Sequence, residues 1–154
     1  MKVNKKIRAF TLSEMIIVLI LTSIVVGLAF SVLTLVQKHM YSIQQNYSKT
    51  TELNKLETSL WLDFNRYSKV DYNDFEGELK FSSLIDSVSY TFYNERIIKE
   101  TDTFNIGLQS KLFFFDGEKE TNGKTDAIKL VTSKDFQNQV LFIYKKNDAS
   151  NYMD

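Results

Sequence analysis

The chain has 154 residues, with 19 basic and 19 acidic side chains, one histidine and neither cysteine nor proline. Lack of cysteine excludes a disulfide framework and a thiolate metal site, and the balanced charge excludes the basic surplus of a nucleic-acid-binding protein. The balance conceals an asymmetry: Lys2, Lys5, Lys6 and Arg8 precede Phe10, and without those 4 the remaining 15 basic residues face 19 acidic ones, a net charge of −4.

After this basic leader, Met15 to Val36 carry no charge. At 1.5 Å per residue they make a helix roughly 33 Å long, enough for a bilayer core of about 30 Å. A cleaved secretory signal has a shorter apolar core, about 7–15 residues, with its small-residue cleavage position on the far side. Here the small residue, Ala9, precedes the run. Residues 10–36 are expected to span a membrane, with the leader 1–9 in the cytoplasm and everything after Val36 on the other side.

The helical pattern continues past the span. Met40, Ile43, Tyr47, Leu53, Leu56, Leu60, Phe64 and Tyr67 recur at helical spacing with polar residues between them. One helix from about Leu12 to Ser68 is expected, on the order of 85 Å long, with residues 37–69 as an amphipathic half. Beyond Val70 come short β-type runs at Leu79–Ser82, Val88–Tyr93, Arg96–Glu100, Lys111–Phe115, Ala127–Thr132 and Val140–Lys145. Asn94-Glu95 between the second and third reads as a hairpin turn, and Asp116–Asp126, with Asn122-Gly123 inside it, reads as a longer connection. Alternation points Phe113 and Phe115 inward and Phe114 outward. A β domain over 70–146 and a polar tail over 147–154 complete the layout. An antiparallel sheet needs one face covered, and the helix stripe from Met40 to Tyr67 is the large apolar surface available, so the expected fold class is α+β.

Few residues offer chemistry. His39 sits just past the span without a cysteine or a suitable Ser or Asp partner, and no Gly-rich phosphate loop occurs. The chain is expected not to be an enzyme and to hold neither metal nor other cofactor. Asp71, Asn73, Asp74, Glu76 and Glu78 depart from calcium-loop spacing and read as a solvated turn. Asp63 and Arg66 are spaced as a surface ion pair worth about 0.2–0.5 kcal/mol.

Glu14 is the anomaly, a carboxylate at the head of a lipid-facing run. Thr11-Leu-Ser-Glu14 fits a capping box, with Thr11 as N-cap and Glu14 reaching back, and the negative charge suits the helix dipole. That explanation requires neither the leader nor the Ala9-Phe10 junction nor the apolar run, and all three are present.

Together, the basic leader, Ala9, Phe10-Thr-Leu-Ser-Glu-Met and the span closely resemble the class III signal of type IV pilins and type II secretion pseudopilins. The resemblance implies that a prepilin peptidase cuts between Ala9 and Phe10 and methylates the new amine on Phe10. It also implies that Glu14 pairs with the N-terminus of a neighbouring subunit during filament assembly. The chemistry agrees, since an ionisable group costs about 2.5–3.5 kcal/mol at a membrane helix centre and pairing is the usual escape. This sequence departs from the pattern twice: Ala9 stands where Gly is usual, and the span lacks the family's helix-loosening proline, which argues against a major pilin.

Ser23, Gly27 and Ser31 recur at four-residue steps, either as a close-packing seam for the filament core or as small residues common in such helices. Gly27 is the candidate for local softening. Farther on, Glu52-Leu-Asn-Lys-Leu-Glu-Thr-Ser-Leu-Trp-Leu-Asp63-Phe-Asn-Arg66 and the hairpin around Val88-Ser-Tyr90 resemble J-type minor pseudopilins and PilW-like minor pilins. The resemblance implies a type IV pilin-like fold and a non-catalytic minor subunit of a type II secretion pseudopilus, in its tip or initiation complex. A type IV pilus or DNA-uptake pilus is the alternative machine. The implied partners are other pilins or pseudopilins, the prepilin peptidase, the inner-membrane assembly platform and the membrane itself, with the β domain in the periplasm. Two different readings compete: an anchored periplasmic binding domain that never polymerises, and an enzyme with its site in the β domain.

Overall fold

The computed structural model describes residues 10–145. The expected leader, Ala9 included, and the tail 147–154 lie outside the described residues. One helix, α1, covers Leu12–Arg66, ending two residues short of the expected Ser68. The chain divides into two compact units between Asn46 and Tyr47.

The N-terminal unit is helical from Leu12, and its apolar side chains face outward; Val26, the least exposed of the large ones, still shows 46% of its surface. This helix is long and apolar enough to cross a membrane. Its polar side chains are satisfied within the helix: Thr22 Oγ1 donates to the Val18 carbonyl at 2.6 Å, Ser23 Oγ to Ile20 at 2.8 Å and Thr34 Oγ1 to Phe30 at 2.9 Å. Such back-bonding removes the cost of placing hydroxyls in hydrocarbon.

In the C-terminal unit the end of α1 packs on two antiparallel sheets, the expected α+β class and consistent with a type IV pilin-like fold. The strands are β1 (Lys69–Asn73), β2 (Glu78–Ser82), β3 (Ser87–Phe92), β4 (Ile97–Lys99), β5 (Asp102–Phe104), β6 (Leu108–Phe115), β7 (Glu118–Glu120), β8 (Asn122–Lys124), β9 (Ala127–Thr132) and β10 (Val140–Tyr144). Sheet one runs β5-β4-β3-β2-β1-β8 and sheet two runs β10-β9-β6-β7. The expected hairpin is present: Phe92 pairs with Ile97, and Tyr93 N donates to the Arg96 carbonyl at 2.9 Å.

Several expectations need correction. The single sheet is two, and the Asp116–Asp126 connection contains β7, which turns back on β6, and β8, which crosses to sheet one beside β1. Glu-Lys-Glu and Asn-Gly-Lys have no apolar alternation, so backbone pairing alone forms these strands. Gly123 adopts φ +109° opposite Tyr72 rather than sitting in a turn. β1 and β5 are further strands beyond the expected runs, and Val70 and Tyr72 alternate inward along β1.

Leu56, Leu60 and Phe64 of α1, Leu79, Phe81 and Tyr90 of sheet one, and Ile128 and Leu130 of sheet two are fully buried. Each such aliphatic or aromatic side chain contributes about 1.5–3 kcal/mol relative to exposure. Phe64 meets Phe81 edge-on at 5.0 Å. The buried stripe begins at Leu53, not Met40: Met40, Ile43 and Tyr47 are 64%, 67% and 75% exposed. The strands run from three to eight residues, so at about 3.3 Å per residue they present a face only a few helical turns deep. Phe113 is buried as expected, whereas Phe115 is only half-buried, because the strand ends beside it at Asp116 and Gly117 with φ +51° and +83°. Lys145 ties down the link between α1 and β1, its ammonium donating to the carbonyls of Tyr67 at 2.6 Å and Ser68 at 3.1 Å.

Candidate functional site

At the start of α1, Thr11 and Glu14 form the reciprocal cap that their spacing suggests. Thr11 N and Thr11 Oγ1 each donate to Glu14 Oε2 at 2.9 Å, Glu14 N donates to Thr11 Oγ1 at 3.4 Å, and Met15 N donates to the Thr11 carbonyl at 3.2 Å. Both bonds to the carboxylate fall on Oε2. Glu14 is exposed, and Phe10 beside it is 75% exposed. The exposed side chain is held by its own helix through Oε2, and Oε1 takes no part in the cap. Ser23, Gly27 and Ser31 are all exposed along this helix, and a Cβ placed on Gly27 would meet nothing within 4 Å. The helix runs unbroken through Gly27.

A second polar cluster lies inside the C-terminal unit. Asp63 is 5% exposed, and its Oδ2 accepts the Lys99 ammonium at 2.7 Å and the Tyr90 hydroxyl. Ser59 Oγ lies 2.7 Å from that hydroxyl and accepts from Lys99 Nζ at 2.9 Å. Burial, reinforced by the hydrogen bond to Asp63, pushes the Tyr90 phenol up from its ordinary value and keeps it neutral. The expected Asp63–Arg66 surface pair is absent: Arg66 reaches Asp86 at 3.6 Å, and Asp63 faces inward to β4. Lys99 Nζ is shared between the Asp63 carboxylate at 2.7 Å and Ser59 Oγ at 2.9 Å, so Ser59, Lys99, Asp63 and Tyr90 form one connected polar network. The arrangement joins helix to sheet. Its sequence signal is an acid, Asp63, set inside the stripe of Leu56, Leu60 and Phe64; Ser59, Tyr90 and Lys99 gave none.

The acidic turn after β1 is organised by its own side chains: Asn73 Oδ1 accepts from Phe75 N at 3.0 Å and Glu76 N at 3.4 Å, and Tyr72 donates to Asp74 at 2.9 Å. Among the described residues no group of three His, Cys, Asp or Glu side chains is placed to hold a metal ion.

Residues 4–30 match the prokaryotic N-terminal methylation motif. The matched stretch contains the Ala9-Phe10 junction, the Thr11–Glu14 cap and the apolar run, and it supports the type IV pilin-like superfamily. The methylation motif marks a pilin-type subunit of pilus or pseudopilus systems, a structural family, and implies other pilins and the prepilin peptidase as partners. Motif and hydrophobic helix together fit a single-pass membrane anchor. No curated protein and no solved structure matches the chain.

Proposed function

We propose that the chain is a minor pilin-like subunit of a type II secretion pseudopilus, acting in its tip or initiation complex in protein export. In this reading the leader 1–9 stays cytoplasmic, the peptidase cuts between Ala9 and Phe10 and methylates Phe10, and residues 10–36 anchor the chain and enter the filament core. Residues 37–69 form the amphipathic half of the helix, and the β domain 70–146 faces the periplasm and chooses partners. Glu14 pairs with the Phe10 ammonium of a neighbour, which makes docking depend on the axial stagger of two helices. Ser23, Gly27 and Ser31 form the close-packing seam.

The observation that carries the reading is the Thr11–Glu14 cap inside the matched methylation motif. A capping role alone would be served by any chain that starts a helix. A preset carboxylate at the end of a lipid-length apolar helix, directly after a processing junction, is suited to neutralising a neighbour's new ammonium. Intact-mass measurement of the membrane-extracted protein tests the processing. Loss of Met1–Ala9 with one methyl on Phe10 is expected, and an uncleaved leader would overturn the proposal in favour of an anchored domain that never polymerises.

A further inference from the structure

The two sheets treat their outward faces differently. In sheet one the residues paired outward are polar: Lys69, Asp71 and Asn73 on β1 stand opposite Ser82, Lys80 and Glu78 on β2. An antiparallel sheet with one solvated face is expected to look like this. In sheet two, β10 turns Val140, Phe142 and Tyr144 outward at 57%, 54% and 63% exposure, and Phe142 pairs with Lys129, which pairs in turn with Leu112. Phe114, opposite Lys119, packs against Phe142 at 6.3 Å, and Phe142 against Tyr144 at 6.1 Å. These rings line a groove of about 480 Å³. The face is apolar with two lysines set into it. Two charges line the groove itself, Asp126, 8% exposed and accepting from Asp116 N at 2.8 Å, and Lys145, bonded to the Tyr67 and Ser68 carbonyls.

A complementary surface combines an exposed apolar tip with acidic flanks. Among the described residues two apolar turn tips stand out. Leu84-Ile85 is fully exposed, but its neighbouring acid, Asp86, is bonded to Tyr67 at 3.0 Å and paired with Arg66 at 3.6 Å. Phe75 is 97% exposed at the β1–β2 turn between Asp74, exposed but accepting from the Tyr72 hydroxyl at 2.9 Å, and the exposed Glu76, which is the acid this tip presents; the nearby Lys111 ammonium is drawn instead over the Tyr72 and Phe92 rings at 5.7 and 5.9 Å.

We infer that the outward face of sheet two receives the Phe75 turn of a second copy of this chain, the ring entering the Phe114–Phe142–Tyr144 groove and Glu76 meeting Lys129. The exposed apolar area is on the order of 400 Å², about half of what each partner of a stable free-standing pair buries. The contact therefore forms between copies that an anchor already holds close, where a weak interface is sufficient. In this respect the inference rests on the pilin-type reading, which supplies the anchor and the shared assembly.

The chain has no cysteine, so disulfide trapping needs no background removal. Two differently tagged full-length copies, one Glu76→Cys and one Lys129→Cys, are co-produced in cells, oxidised and resolved by mass, and the same sample reports leader cleavage. The expected result is a mixed dimer roughly tenfold or more above either like-with-like dimer, lost when Phe142→Asp is added to the Lys129→Cys copy. In a second pair of copies, with cysteines placed at Asp74 and Val131, Lys129→Glu weakens the mixed dimer and Glu76→Lys in its partner restores it. Cleaved chains without a mixed dimer would overturn the inference alone, and uncleaved chains would overturn the functional reading on which it rests. A Lys129→Cys copy trapped instead to a different pilin-type protein would overturn the second copy as occupant.

Discussion

Replacing Asp63 by alanine removes the shared acceptor of the Lys99 ammonium and the Tyr90 hydroxyl. Breaking a buried ion pair on one side costs about 3–5 kcal/mol, because the remaining charge is left uncompensated. Lys99 is less than fully buried, its side chain 22% exposed, and it keeps Ser59 at 2.9 Å, so the lower end of that range applies. A loss of about 3 kcal/mol lowers the melting temperature of a domain this size by roughly 12–24 °C. The assay is thermal unfolding of the full chain in detergent micelles, followed by near-ultraviolet circular dichroism from its buried tyrosines. Asp63→Ala, Lys99→Ala and the double variant form a cycle in which the double costs less than the sum of the singles. Arg66→Ala, at an exposed 3.6 Å contact, should cost no more than about 0.5 kcal/mol. If Asp63→Ala and Arg66→Ala unfold within a few degrees of one another, Asp63 is not the buried anchor described above.

Tyr90→Phe loses the hydroxyl's bonds to Asp63 and Ser59 and should cost about 1–2 kcal/mol below neutral pH, read from urea midpoints. Burial raises the phenols of Tyr90 and Tyr72 above their unfolded value, so their stabilising share is complete below about pH 10 and is lost as pH rises further. Alkaline titration at 295 nm should show these phenols ionising together with unfolding, and early ionisation without unfolding would count against their burial. Lys145→Met, which frees the Tyr67 and Ser68 carbonyls between α1 and β1, should cost about 1 kcal/mol with the fold unchanged. The fragment Gln37–Asp154 should be soluble and folded, since every core residue from Leu53 onward lies within it; an unfolded aggregate would contradict that. Glu14→Ala should leave leader cleavage intact while abolishing retention in filaments, measured by shearing and immunoblot.

What was legible in the sequence followed from strong periodicity and from local chemistry. The α1 start at Thr11, the cap with Glu14 and the Tyr93–Arg96 hairpin each depend on residues within four positions of one another, and each appears as expected. β7 and β8 were not legible, because short polar strands are made by the edges they join and not by their own side chains. The same cause hid the division into two sheets. Along the sequence Asp63 points to Arg66, three residues away on the same helix, whereas its partner, Lys99, lies on β4 and is reached only after the fold is complete. Met40, Ile43 and Tyr47 extended a periodicity that the sheets are too short to cover. The processing junction rests on resemblance, and the methylation motif matched over residues 4–30 spans it.

The central claim is that this chain is processed as a pilin and placed among neighbours by Glu14, and mass spectrometry of the protein drawn from its own membrane tests it most directly. The account predicts a chain beginning at Phe10 with a single N-terminal methyl group. A chain still carrying Met1 to Ala9, unmethylated at Phe10, would contradict it.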